Sequence, residues 1–252
     1  MTKILAITNQ KGGVGKTTTS VNLAASLAVA GKRVLLVDLD PQANATMGSG
    51  TNKQTVKTTV YHVLLGDAAI QATRITGTQG KYDLIPANRD LAGAEVEMVD
   101  LPEREARLKT ALEAIEHEYD YILIDCPPAL NLLTLNGLCA AQAVMIPMQC
   151  EYYALEGLSD LVNTIKRVRH NFNPALRIEG LLRTMFDPRN ILAQQVSDQL
   201  KKHFGDKVYR TVIPRNIRLA EAPGFGLPVL YHDAQSKGAL AYLELAKEIL
   251  DA

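Results

Sequence analysis

Residues 9–18 read Asn9-Gln10-Lys11-Gly12-Gly13-Val14-Gly15-Lys16-Thr17-Thr18, between the apolar run Ile4–Ile7 and a helical pattern from Thr17 to Ala30. A strand that feeds a Gly-rich turn and then at once a helix builds a phosphate-binding loop. The backbone N–H groups of Gly12, Gly13, Val14 and Gly15 turn inward toward an anion, and the helix adds the partial positive charge of its N-terminus. Lys16 can reach the β- and γ-phosphates of a nucleotide, the Thr17 hydroxyl can ligand Mg²⁺, and Thr18 continues the cradle. The ordinary pattern has Gly five residues before Gly15. Here Gln10 stands in that place, and Lys11 follows it.

Outward from the loop, apolar runs of strand length recur at Ile4–Ile7, Val34–Val37, Leu84–Pro86, Tyr121–Ile124, Ala143–Pro147, Ile178–Leu182 and Val208–Ile213. Several are continuous rather than alternating, as parallel strands buried on both faces require. Helical stripes lie between them: Leu108, Leu112 and Ile115, then Leu155, Leu158, Leu161, Val162, Ile165 and Val168. A third stripe, Leu240, Leu243, Leu245, Ala246 and Ile249, closes the chain. The alternation predicts an α/β fold: one doubly wound, mostly parallel sheet flanked by helices, with ligands at the carboxyl ends of the strands. No repeat or linker interrupts it, so residues 1–252 read as one domain. Residues 41–58 are small, polar and aperiodic, and are expected to form a mobile surface segment beside the site.

The chain has 252 residues, 47% of them hydrophobic, enough for a sizeable core. No uncharged apolar stretch of about 18 residues exists, so no membrane span is expected. Met1-Thr2-Lys3 leads straight into the first strand, leaving no room for a signal peptide, and a cytoplasmic location is expected. Cys126, Cys139 and Cys150 lack CxxC spacing and read as small buried residues. Net charge is zero, yet it is unevenly spread. Residues 90–126 carry eleven acids against three bases, and residues 177–218 carry nine bases against four acids. A neutral chain can therefore still present a basic face to a polyanion.

Two carboxylate motifs follow apolar strands: Val37-Asp38-Leu39-Asp40-Pro41-Gln42 and Ile124-Asp125-Cys126-Pro127-Pro128. An Asp at the end of a buried strand is costly unless a cation or hydrogen bonds compensate it. Beside a phosphate loop that compensation is Mg²⁺ or its waters, a role that fits Asp125. Asp38 and Asp40 share one side of an extended chain. One can support the metal from behind, and the other can orient an attacking water. The plain alternative for each is capping of the next helix.

The set KGGVGKTT, VDLDPQ, ILIDCPP, Gln149-Cys150-Glu151-Tyr152-Tyr153-Ala154-Leu155-Glu156-Gly157 and Ile213-Pro214-Arg215-Asn216 resembles the ParA/Soj chromosome-partitioning ATPases of the ParA/MinD group, whose variant loop is a deviant Walker A motif. The resemblance runs through practically the whole chain. It implies ATP sandwiched in a head-to-tail homodimer, with Lys11 reaching across to the partner's phosphates while Lys16 and Thr17 act in cis. It implies further that Asp40 positions the hydrolytic water, that Asp125 sits on the Mg²⁺ side, and that Pro214 and Asn216 line the adenine pocket. The ATP dimer would bind double-stranded DNA without sequence preference, on the nucleoid. A ParB-type centromere-binding protein would stimulate hydrolysis and release. Charge agrees with the trans role of Lys11: Lys16 already supplies the cis ammonium, and a second lysine aimed at the same phosphates would crowd it. Supplied by a partner, it acts like an arginine finger.

For the DNA surface the best candidates are Arg189 and Arg218, in stretches without a strong apolar period. Lys201 and Lys202 extend them on the polar side of a helix. Three other readings share parts of the pattern. A MinD-like regulator at a membrane surface needs a basic amphipathic C-terminal helix, whereas this tail ends acidic and reads as a closing core helix. A nitrogenase-type reductase needs thiolates on a dimer face, and Cys126 is locked beside Asp125. A plasmid-type repressor needs an N-terminal helix-turn-helix, which is not expected before a loop that begins at residue 9.

Overall fold

The computed structural model describes residues 2–251. Seven strands form one parallel sheet: β1 (Lys3–Ile7), β2 (Val34–Asp38), β3 (Asp83–Ile85), β4 (Tyr121–Asp125), β5 (Ala143–Gln149), β6 (Arg177–Phe186) and β7 (Val208–Pro214), in the order β3-β2-β4-β1-β5-β6-β7. Each expected apolar run is a strand. The continuous Val, Ile and Leu runs are buried on both sides, and alternate residues feed two cores. Ile4, Ala6, Leu35, Val37, Ile122 and Ile124 point to one. Leu5, Ile7, Leu36 and Leu123 point to the other. Helices Arg107–Glu113, Leu132–Ala140, Ala154–Asn171 and Ile191–Phe204 supply the first core; helices Lys16–Val29 and Lys237–Leu250 supply the second.

Register positions the chemistry. Ile7 of β1 and Asp38 of β2 both pair with Asp125 of β4, so the two aspartates end their strands level with the residue that leads into the Gly-rich loop. The helix that starts at Lys16 packs back over the sheet through Leu23 and Leu27.

The C-terminal helix is a core element. Tyr242, Leu245 and Ile249 are buried, and Tyr242 Oη lies 3.1 Å from Thr19 Oγ1 on the helix behind the loop. Glu248 accepts hydrogen bonds from the N–H groups of Arg210 and Thr211 at 2.7 and 2.9 Å, which occupies donors on the edge strand β7. Leu240 departs from the expected stripe: it is half exposed, and Ala239 and Tyr242 take the inner face. Residues 41–58 also differ from expectation. Asn44–Gly48 is a short helix, and Ala43, Ala45, Thr46, Gly48 and Ser49 are buried. Its apolar side chains are too small to show as a stripe, and a buried carboxylate holds it instead.

One close approach is testable. A Cβ on Gly137, in the helix over β4, would lie 2.9 Å from Cys126 Sγ and 3.2 Å from Leu39 Cδ2. Gly137→Ala gains up to about 1 kcal/mol of helix propensity but overpacks a closed site at about 1–3 kcal/mol. Urea unfolding should therefore show net destabilisation by the single change, and relief when Cys126→Ala is added. A stabilised Gly137→Ala protein would contradict this packing.

Candidate functional site

The loop is shaped by its own residues and by the strand ends around it. Asn9 donates from Nδ2 to the Pro147 carbonyl at 2.8 Å and accepts from the Lys11 N–H at 3.0 Å, which sets the turn. Gly13 and Gly15 have φ of 73° and 88°, conformations that side chains resist. Thr184 of β6 donates to the Val14 carbonyl at 2.7 Å and clamps the loop from the opposite side. Gly12 faces open space: a Cβ there would meet nothing within 4 Å. The first turn of the helix Lys16–Val29 carries no acid, so its N-terminus is free to attract an anion.

Lys16 is buried, and its ammonium donates to the Lys11 carbonyl at 3.0 Å. Burial pushes its pKa down, against the pull of Asp125 and Asp40. A desolvated ammonium spent on one carbonyl has strong reason to take an anionic ligand. Lys11 points the other way, outward, and binds Glu151 Oε2 at 2.5 Å with both side chains about half exposed.

Asp125 is completely buried at the tip of β4. Thr17 Oγ1 donates to its Oδ2 at 2.8 Å, and Ser20 Oγ donates to Oδ1 at 2.8 Å. Asp38, equally buried, accepts from the N–H and the hydroxyl of Thr46, both at 2.7 Å, and from the Asp40 N–H at 3.2 Å. Burial raises the pKa of each carboxyl, and the charge of Asp38 raises Asp125 further; the hydrogen bonds only partly compensate. The deficit is what a divalent cation corrects. A hydroxyl and a carboxylate already in contact beside an anion cradle suit Mg²⁺ with a nucleotide triphosphate. Asp40 is less buried and accepts from the Gln42 N–H at 2.9 Å. Asp38 thus anchors the helix Asn44–Gly48, the capping alternative, while it also shapes the ground behind Asp125.

The structure brings Lys16, Thr17, Asp38, Asp40 and Asp125 together at the carboxyl ends of β1, β2 and β4. Thr18 and Thr17 line a cavity of about 420 Å³ that reaches Asn44 and Pro223. Pro214 ends β7, opposite Phe186 of β6, and Asn216 caps the helix Ile217–Glu221 by accepting from the Arg218 N–H at 3.1 Å. Arg189 follows β6 and is 89% exposed at its side chain, paired with Asp187 at 2.8 Å. Arg218 pairs with Glu221 at 2.8 Å and Asp233 at 3.2 Å. Lys201 and Lys202 are exposed on the helix Ile191–Phe204. One base of the 177–218 excess is not on the surface. Arg183 is buried and donates to Ser197 Oγ and to the Tyr209 and Arg210 carbonyls. The three cysteines are buried, and burial pushes each thiol up, Cys139 and Cys150 to about 11. Among the described residues, no helix is long and apolar enough to cross a membrane.

The contacts of Ser20, Thr46, Thr184 and Glu151 escape the sequence reading, although Glu151 lies in a quoted stretch. Ser20 leaves a faint signal, one helical turn beyond Lys16 and Thr17. Thr46, Thr184 and Glu151 act through long-range contacts that no local pattern encodes.

Residues 2–178 match the family described as AAA domain. The chain is 58% identical over 249 residues to the sporulation initiation inhibitor protein Soj of Bacillus subtilis, covering 99% of this chain and 98% of that protein. It is 51% identical to the chromosome partitioning protein ParA of Caulobacter vibrioides, over 98% of this chain and 94% of that one. Among solved structures, cobyrinic acid a,c-diamide synthase of Mycobacterium smegmatis with bound ADP and magnesium superposes with a TM-score of 0.87. It is 40% identical and covers 99% of this chain and 94% of its own.

The Asp38–Thr46 tie generates a stability prediction. Thr46 Oγ1 donates to Asp38 and accepts from the Ala87 N–H at 2.9 Å. Thr46→Val keeps the shape, loses both hydroxyl bonds, strands the buried Ala87 N–H and leaves the buried Asp38 carboxylate with only its two backbone N–H donors. It should cost about 2 kcal/mol, seen as a lower urea midpoint, with Thr46→Ser close to wild type. Equal midpoints for Thr46→Val and wild type would contradict it.

Proposed function

The chain belongs to the ParA/Soj family of chromosome-partitioning ATPases, and on that premise we propose that it is an ATP-driven partitioning switch whose nucleotide-bound dimer holds DNA. The observation that carries the reading is the pair of oppositely directed lysines: Lys16 buried inside the loop, Lys11 turned outward to solvent and Glu151. In this mechanism the loop N–H groups and Lys16 hold the β- and γ-phosphates of ATP. Thr17 and, through water, Asp125 would hold Mg²⁺, with Asp38 behind Asp125, and a bound ion would supply charge neutralisation at the phosphates. Asp40 orients the attacking water. Pro214 and Asn216 flank the adenine. Lys11 enters the second subunit's site, so hydrolysis requires the dimer.

On the DNA side, Arg189, Arg218, Lys201 and Lys202 contact phosphates of the duplex. Their surface ion pairs are cheap to exchange, at about 0–1 kcal/mol each. One subunit makes few contacts; two joined through ATP double them, so affinity rises steeply without base readout. A ParB-type partner then triggers hydrolysis and release, in the cytoplasm on the nucleoid. The membrane-surface reading needs a free basic helix, whereas here Tyr242, Leu245 and Ile249 commit the last helix to the core.

Two experiments test this reading. Asp40→Ala should retain Mg²⁺-dependent ATP binding but lose steady-state hydrolysis, measured as phosphate release; undiminished turnover would remove Asp40 from its role. In the second, fluorescence anisotropy of a labelled duplex should show binding with ATP but little with ADP or without nucleotide. Arg189→Glu and, separately, Arg218→Glu should each lower that affinity by tenfold or more, on the order of 1.4 kcal/mol. If both reversals leave DNA affinity intact, the basic surface lies elsewhere.

A further inference from the structure

The turn after β5 grips the phosphate loop from outside. Gln149 Nε2 donates to the Gly13 carbonyl at 3.4 Å, and two residues later Glu151 takes the ammonium of Lys11. The next two residues, Tyr152 and Tyr153, are 73% and 71% exposed. Their rings meet edge to face with centroids 5.0 Å apart, so each limits the other's rotation and together they present one aromatic surface.

We propose that Tyr152 and Tyr153 are the anchor on which a second copy of this chain seats, and that Glu151 holds Lys11 in standby until it does. The inference rests on the ATP-dimer reading and deepens it by naming the contact surface and its release. Position is the first argument. If Lys11 is to reach phosphates held by another subunit, that subunit must close over Lys11 and over what lies beside it. Glu151 is bonded to Lys11, and the two tyrosines follow Glu151 directly. Open space at Gly12 leaves the same side of the loop free for close approach.

Chemistry is the second argument. Tyrosine brings large contact area with few rotatable bonds, and adjacent exposed aromatics are the side chains that concentrate binding energy at interfaces. The Lys11–Glu151 pair is half exposed at both ends, so it is a weak latch. Docking replaces one carboxylate with the several negative charges of a triphosphate, and the lysine changes partner without a large penalty. Until then, Glu151 competes with the partner's phosphates for the Lys11 ammonium.

The test uses the full chain with Asp40→Ala as reference, so that ATP persists, and measures the dimer dissociation constant by sedimentation velocity with Mg²⁺ and ATP. Adding Tyr152→Ala and Tyr153→Ala should weaken the dimer about tenfold or more, while a fluorescent ATP analogue binds monomer with unchanged affinity. Circular dichroism and the unfolding midpoint confirm that the variant folds. Adding Glu151→Gln alone should tighten the dimer about two- to fivefold. If the reference forms no ATP dimer, the dimer reading falls and this inference with it. If the reference dimerises and the tyrosine variant dimerises equally, the anchor is wrong while the dimer stands. A dimer weakened or unchanged by Glu151→Gln overturns the latch.

Discussion

Two carboxylates buried at the ends of neighbouring parallel strands are the constraint on which the rest depends. Asp38 and Asp125 are flush in register, wholly buried and mutually repulsive. A fold keeps such a pair only if surrounding groups offset desolvation and like charge. Thr17 and Ser20 do so for Asp125 from the first helix, and Thr46 does so for Asp38 from the short helix after β2. The hydrogen bonds that stabilise the carboxylates therefore also fix the helix behind the phosphate loop and the segment that carries Asp40. The remaining excess of negative charge, beside a buried Lys16 and an unopposed helix N-terminus, selects a ligand that brings a cation and phosphates together.

The same electrostatics explains why the switch would need two subunits. Lys16 occupies the inside of the loop, so a second ammonium has no low-energy place there. Lys11 is accordingly directed outward and neutralised by an exposed carboxylate. A cation displayed on the rim of an anion site contributes fully only when another such site faces it. In the proposed dimer, assembly would follow nucleotide by mass action, and every surface property doubled by assembly, the basic residues after β6 and β7 included, would follow nucleotide as well.

Much of this was legible in the sequence for a definite reason. Parallel strands covered on both faces must be continuously apolar, so Val34–Val37 and Tyr121–Ile124 announce themselves, and an acid that ends such a run marks a site. Strand ends were read short where polar residues continue the ladder, as in β6, which runs on to Phe186 through the buried Arg183 and Thr184. The helix Asn44–Gly48 was not legible because its inner side chains are Ala and Thr and its anchor is Asp38, eight residues from Thr46. Arg183 counts as surface charge by composition, yet its guanidinium binds Ser197 and two carbonyls inside the fold. Glu151 lies in a stretch that carries the family resemblance, yet its contact with Lys11 left no local signal, since the two are 140 residues apart.

The account turns on the outward lysine acting between subunits, and light scattering of Lys11→Ala in the Asp40→Ala background, with Mg²⁺ and ATP, addresses it most directly. With Lys11 intact the mass should be near twice the chain's 27.5 kDa, and with Lys11→Ala it should return toward 27.5 kDa while ATP remains bound. A Lys11→Ala protein as dimeric as its parent would contradict the account, because the lysine would then have no part in joining the two sites.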